Sequence, residues 1–341
     1  MRSIYSAIFL LLIAISSFAQ DGAQQFASLG DLKLESGEVL RDCRVGYRTF
    51  GKLAADKSNA ILFPTWFSGT TKMLVGEVGP GKLVDPATYF VITVDALSNG
   101  VSSSPSNSKL QPRQQFPKIT IRDMVNSQYR LLTEVLHVSH LKAVMGDSMG
   151  GMQTFQWMVS YPDFMDKAIP IVGSPRVAAY DLLLWRGEME AVKSDPKWKD
   201  GNYSEQPGVA AIAYLETMTI TTPADYNKNV TREKIDASIK QAKEDTAAFD
   251  GNDRVRQLEA IMGLDVSMPF GGSMEKAAAA VKAKVLVIVG RNDHTVTPGP
   301  ALAFAKLLNA EVLELQGDCG HVAPDCEMKT TSATIARFLA K

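Results

Sequence analysis

The sequence predicts an α/β fold: a mostly parallel central sheet, helices on both faces, and a helical cap inserted late in the chain. Three observations carry this. Short unbroken apolar runs alternate with amphipathic stretches, the pattern of buried parallel strands joined by helices. Residues 176–276 lose the buried-strand signal and show helical stretches instead. The sheet pattern then returns at Val285-Leu286-Val287-Ile288-Val289.

Along the chain, residues 1–19 read as a signal peptide. Arg2 supplies the positive start, 7–15 is an apolar run of signal length, and Ser17-Phe18-Ala19 offers a small-residue cleavage site before Gln20. The expectation is an exported protein, periplasmic or secreted, with no stable membrane insertion after cleavage. Residues 20–30 read as polar and loose. Strands follow at 31–35 and 39–50, joined at Ser36-Gly37, with Val45, Tyr47 and Thr49 alternating in the second. Residues 60–64 form a short apolar strand leading into the small-residue loop 65–70, and 89–94 is another buried strand. A Ser/Asn/Pro loop spans 98–107.

Residues 120–136 carry apolar side chains at helical spacing, and Thr120 with Asp123 forms a capping-box start. Next come an apolar run (141–145), a Gly/Ser turn and a helix (149–160), then a strand at 168–172. The cap is expected to contain helices over 178–193, 209–219 and 232–249. After the strand at 284–290, a helix (300–308), a strand (311–315) and a helix (327–339) close the chain. The core therefore comprises 20–175 and 277–341, and the cap 176–276.

Length and composition fit this organisation: 341 residues, 45% hydrophobic and 21% charged, are enough for a large core. A net charge of −1 without like-charge runs gives no sign of nucleic-acid binding or a polybasic membrane contact. Of the three cysteines, Cys319 and Cys326 are near enough in sequence to bridge; buried free thiols are the expected state. No Cys/His spacing resembles a zinc site.

The chemistry centres on Gly146-Asp147-Ser148-Met149-Gly150. Strand before and helix after make this a sharp turn that lifts a serine hydroxyl out of the sheet, with small flanking residues letting strand and helix approach. Such a serine needs a base, and the base an acid that fixes its tautomer. In this architecture the order is Ser, Asp, His. Asp293 follows the strand at 284–290, and His321 follows the strand at 311–315, which puts both at the sheet edge that carries Ser148. Of four histidines, His137 and His140 read as surface or helix-end residues and His294 as a bystander. Asp318 and Asp325 read as loop aspartates. Oxyanion donors are expected from the Met149 N–H and from the loop 65–69.

These residues bring a family into view. The chain resembles the homoserine O-acetyltransferase family of α/β-hydrolase-fold enzymes. The likeness lies in Leu34-Glu35-Ser36-Gly37-Glu38-Val39-Leu40, Tyr47-Arg48-Thr49-Phe50-Gly51-Lys52-Leu53, Gly79-Pro80-Gly81-Lys82 and Tyr89-Phe90-Val91-Ile92. It continues through Thr120-Ile121-Arg122-Asp123-Met124-Val125, Gln128-Tyr129-Arg130-Leu131-Leu132, the serine turn to Gln153, and Tyr161-Pro162-Asp163. Asp195-Pro196-Lys197-Trp198 and Gly201-Asn202-Tyr203 extend it into the cap. The resemblance implies Ser148 as acyl-carrying nucleophile, Asp293 and His321 as its partners, Phe67 and Met149 as oxyanion N–H donors, and Arg176 as a carboxylate binder. It also raises a homodimer as the state to examine. The sequence departs from the pattern where the family places Asp directly after the catalytic His, which is here Val322. The 98–107 loop is shorter, and the cap around 215–275 is reduced.

The functional expectation is a serine-dependent acyl-transfer enzyme, homoserine O-acetyltransferase-like, acting on a small-molecule ester or thioester with no metal or redox cofactor. An exported esterase on the same scaffold, with water as acceptor, is the alternative. A catalytically silent binding protein is the third reading.

Overall fold

The protein is described here as a computed structural model of residues 22–341; the stretch read as a signal peptide lies outside the described residues. Among the described residues, eight strands form one sheet in the order β1-β2-β4-β3-β5-β6-β7-β8. β1 (Gln25–Lys33) and β2 (Val39–Phe50) make an antiparallel edge hairpin, and β2 pairs antiparallel with β4 (Phe90–Val94). From β4 onward through β3 (Ala60–Pro64), β5 (Leu141–Asp147), β6 (Met165–Ile171), β7 (Lys284–Gly290) and β8 (Glu311–Leu315), all pairs are parallel. Parallel strands need long crossovers, and helices supply them here. The interior strands read as continuous apolar runs because both faces are covered, by separate hydrophobic clusters.

The first strand begins earlier than expected. Residues 25–30, read as loose, pair with 43–47, and Ala27 and Leu29 alternate into the core. Gly30, at φ +63°, stands where the register shifts, so the local bulge breaks the period that would announce a strand. The capping box forms as read: the Asp123 N–H donates to Thr120 Oγ1 (3.1 Å), and the Thr120 N–H donates to Asp123 Oδ2 (3.0 Å). It opens α2 (Ile121–Arg130), which follows the single turn α1 (Thr71–Leu74) and widens into a π turn over Leu131–Val135. α3 (Met149–Ser160) runs from the serine turn through the core.

Between β6 and β7 the cap is helical: α4 (Ala179–Lys193), α5 (Val209–Ile220), α6 (Pro223–Asn229), α7 (Ile235–Ala247), α8 (Gly251–Met262) and α9 (Met274–Ala280). α8 is not among the helices expected from the sequence, although Val255, Leu258 and Ile261 recur at helical spacing; what the sequence does not show is that Asp253, Arg254, Arg256 and Gln257 are buried along with them. α10 (Gly299–Leu308), the short α11 (Ala323–Cys326) and α12 (Met328–Ala340) complete the chain. Cys319 and Cys326 are joined in a disulfide, which corrects the expectation of free thiols; Cys43 is buried and free. The two sulfurs meet because the 3-10 turn Gly320–Val322 and α11 fold the intervening segment back on itself.

Candidate active site

Ser148 sits between β5 and α3 at φ 54°, ψ −119°, a backbone that costs a non-glycine residue about 1–3 kcal/mol. Close packing holds it there. A Cβ on Gly146 would lie 2.6 Å from the Gly150 carbonyl, and one on Gly150 would lie 2.6 Å from the Pro64 carbonyl. The flanking glycines therefore let strand, helix and the neighbouring strand β3 meet at van der Waals distance. The Ser148 N–H is tied to the Ile171 carbonyl at 2.9 Å.

The structure brings the three sequence-expected residues into one hydrogen-bonded line. Asp293, after β7, is 4% exposed, and His321, after β8, is 8% exposed. Asp293 Oδ1 accepts the N–H groups of Thr295 (2.8 Å) and Val296 (2.9 Å), which leaves Oδ2 for His321 Nδ1 at 2.7 Å. A carboxylate only accepts, so Nδ1 carries the proton and Nε2 presents a lone pair to the Ser148 hydroxyl at 2.9 Å. Burial works against a charged ring, but the charge and hydrogen bond of Asp293, together with the charges of Asp181 and Asp325, outweigh it, and the His321 pKa is raised above 6.5. The other histidines stand apart: His137 and His294 are exposed, and His140 pairs with Asp166 on the surface at 2.9 Å.

The line opens into a cavity of about 350 Å³. Trp66, Phe67, Met152, Val172, Trp185, Ile220 and Ile261 give it apolar walls, and Val322 lines it beside His321. The Met149 N–H, at the first turn of α3, has no intrahelical acceptor, as at any helix start. Phe67 lies on the loop after β3, facing the same space.

Arg176 does not line this cavity, contrary to its reading as a substrate-carboxylate binder. Its guanidinium is engaged by Asp265 (2.8 Å), Ser267 (2.5 Å) and the Gly272 carbonyl (2.9 Å), locking the start of the cap to its end.

Sequence reasoning missed the acidic part of the wall. Glu77, Asp147 and Asp325 all line the cavity, and Asp325 is thus more than a loop residue. Asp147 Oδ1 and Glu77 Oε2 are buried without a hydrogen-bond partner among the described residues. Burial first, then mutual repulsion, pushes the Asp147 carboxyl well above its usual range and raises Glu77 as well. Asp325 is raised by burial, against the pull of Lys82 and His321. Among the described residues no set of acidic, His or Cys side chains is arranged to hold a metal ion. The position of Asp147, directly before the serine, was the one signal available in sequence.

Comparison with known proteins places this geometry in context. Residues 75–325 match the family described as alpha/beta hydrolase fold. The ethyl acetate hydrolase of Pseudomonas veronii is 34% identical over 315 residues, covering 88% of this chain and 90% of that protein. A homoserine O-acetyltransferase of Methanococcoides burtonii is 33% identical over 358 residues, 91% of this chain and 72% of that protein. Among solved structures, the acetyl esterase MekB superposes with a TM-score of 0.87 at 32% identity, covering 94% of this chain and 97% of that one. An acetylester hydrolase from Corynebacterium glutamicum gives 0.89 at 28% identity, with 94% and 96% covered.

Proposed function

This chain belongs to the α/β-hydrolase fold family, in the branch of the homoserine O-acetyltransferases and related esterases, and from that membership we propose that it is a serine esterase of short-chain acyl esters. The observation that carries the proposal is the line Ser148–His321–Asp293 opening into a small, mainly apolar cavity.

The proposed reaction follows from the hydrogen bonds. As Ser148 Oγ attacks the ester carbonyl, its proton passes to His321 Nε2, and the carbonyl π electrons move onto oxygen. The N–H groups of Phe67 and Met149 stabilise that oxyanion. Asp293 holds the ring in the Nδ1–H tautomer and stabilises the imidazolium. Collapse of the tetrahedral intermediate breaks the C–O bond, and the imidazolium gives its proton to the leaving alcohol. A water, deprotonated by the same nitrogen, then releases the acid and restores Ser148.

Water is favoured as acceptor by Val322. The position where the resembled family has Asp to meet an acceptor's amino group carries an isopropyl group here, and the cavity's carboxyls, Glu77, Asp147 and Asp325, stand at other positions. Three of the similar proteins carry acetyl-ester hydrolysis in their names, which supports a short acyl group. Export belongs to the proposal too, and the Cys319–Cys326 disulfide supports it, since such bonds persist in oxidising compartments. Transfer to an alcohol is the second reading, supported by the acetyltransferase relatives.

The test is turnover of ethyl acetate and p-nitrophenyl acetate beside acetyl-CoA with homoserine, with Ser148→Ala as control. Ester hydrolysis lost in the variant, without homoserine acetylation, is expected. Homoserine acetylation exceeding hydrolysis overturns the esterase reading, and turnover indifferent to Ser148 overturns the mechanism.

A further inference from the structure

The loop bearing Phe67 is held from two sides. On the core side, Gln153 Nε2 donates to the Thr65 carbonyl at 3.0 Å, and Asn99 Nδ2 donates to the Gly69 carbonyl at 2.9 Å. Those bonds fix the loop's ends. Its middle is gripped by the cap. The Ser68 N–H donates to Gln257 Oε1 on α8 at 2.8 Å, and Gln257 Nε2 donates to the Leu97 carbonyl at 3.1 Å. Gln257 is fully buried, so both bonds act where water does not compete. One amide thus fastens a cap helix to the loops after β3 and β4. Ser68 needs the grip: its φ of 60° is a left-handed backbone for a residue with a Cβ, a conformation that persists only where the surroundings hold it. The preceding ring is clamped by the same helix region. Phe67 packs edge-on against Phe249 at 5.7 Å and lies 5.4 Å from the Arg254 guanidinium, three residues before Gln257 on α8. Arg254 is itself anchored by Glu188 and Glu216.

We propose that Gln257 is a positioning residue for acyl transfer: the Phe67 N–H belongs to the Trp66–Phe67 peptide, whose carbonyl accepts from the Gly69 N–H at 3.0 Å across the same turn, and by holding the next peptide, Phe67–Ser68, Gln257 keeps that turn and with it the Phe67 N–H in place, so that the cap governs turnover as well as access. This rests on the reading of Ser148 as nucleophile and the Phe67 N–H as oxyanion donor. A displaced donor is costly, because oxyanion stabilisation depends on placement within a fraction of an ångström. A residue that merely docked the cap would affect stability or substrate affinity and leave the chemical step intact.

The experiment compares Gln257→Met and Gln257→Glu with wild type in the full chain, using p-nitrophenyl acetate and an alkyl fluorophosphonate. Met fills the same volume without the two hydrogen bonds. Its kcat is expected to fall about ten- to a hundredfold with KM within about threefold, and fluorophosphonate labelling of Ser148 to slow in parallel. Glu reproduces the glutamine pattern only when protonated, accepting from Ser68 and donating to Leu97; ionised, it turns a negative oxygen toward the Leu97 carbonyl. The ratio of Glu-variant to wild-type kcat is therefore expected to rise as pH falls. Arg254 and Arg256 flank position 257 on α8, and the titratable groups around it, Asp253, Glu188 and His321, are common to both proteins, so the ratio isolates the new carboxyl. Wild-type kcat in the Met variant overturns the proposal. So does a Glu ratio independent of pH, which remains decisive if the Met variant fails to fold. Wild-type protein without Ser148-dependent turnover overturns this proposal together with the functional reading; normal wild-type turnover with unaffected variants overturns this one alone.

Discussion

Replacing Asp293 with asparagine tests the tautomer logic of the site directly. Asp293 Oδ1 accepts two backbone N–H groups, from Thr295 and Val296, at 2.8 and 2.9 Å. An asparagine must put its carbonyl oxygen there, since an NH2 facing two donors would leave three polar groups unpaired. Its NH2 then points at His321 Nδ1, where Oδ2 now accepts at 2.7 Å. Only a lone pair on Nδ1 can meet that NH2, so the proton moves to Nε2, the atom that must accept from Ser148. Side-chain volume and packing stay nearly unchanged. The variant is expected to fold with wild-type thermal stability within a few degrees and to lose about 10³- to 10⁴-fold in kcat, roughly 4–5.5 kcal/mol of barrier. Asp293→Ala, which leaves the ring free to choose the productive tautomer, is expected to be the more active of the two. Steady-state hydrolysis of p-nitrophenyl acetate with active-site titration measures both. An asparagine variant within tenfold of wild type, or more active than the alanine variant, refutes the reasoning.

Three further outcomes follow from the same geometry. Because Asp293, with Asp181 and Asp325, outweighs burial and raises the His321 pKa, the acid limb of kcat/KM is expected to bend at an apparent pKa above 6.5, activity falling as protonation removes the base; a limb below that value contradicts the assignment. Removing the disulfide by Cys319→Ser with Cys326→Ser frees a loop of sequence separation 7 and is expected to lower stability by about 2–3 kcal/mol in urea titration, with kcat falling because His321 lies inside the loop; unchanged kcat would show that the bridge does not support the ring. Gly150→Ala drives a Cβ to within 2.6 Å of the Pro64 carbonyl and is expected to destabilise by about 2–3 kcal/mol and slow fluorophosphonate labelling; a stable, fully reactive variant would mean that the turn has slack.

The fold was legible because its strongest signals are local. Buried parallel strands announce themselves as apolar runs, and the serine turn lies between one such run and a helix. Asp293 and His321 were found because each follows a run of that kind, which places it on the same sheet edge without any knowledge of distance. Arg176 failed for the complementary reason. Resemblance assigned it a position, while its partners Asp265, Ser267 and Gly272 are roughly ninety residues away in sequence and can be seen only in three dimensions. α8 is a different case: Val255, Leu258 and Ile261 keep a helical period, but its buried polar side chains look in sequence like an ordinary solvent face. Hidden with them is the Gln257–Ser68 bond, which spans 189 residues.

The acidic wall was invisible for the same reason as α8's contacts, since residues 77, 147 and 325 converge only through the fold. Its electrostatics must nevertheless be compatible with the proposed chemistry. A negative charge fixed beside Ser148 would oppose an oxyanion forming on the bound ester, and three such charges would oppose it strongly. Burial raises all three carboxyls, Asp147 most of all, with repulsion from neighbouring carboxylates adding to it at Asp147 and Glu77, and that shift toward the neutral form eases the conflict. A protonated carboxyl offers a donor as well as an acceptor to whatever occupies the cavity. The unpartnered oxygens of Asp147 and Glu77 are then polar lining in a pocket whose aromatic and aliphatic walls also carry Ser68, Glu188, Glu216, Thr219 and Thr295. Polar lining of that kind is compatible with the proposed ester chemistry, and it gives the cavity a reason to hold carboxyls at all.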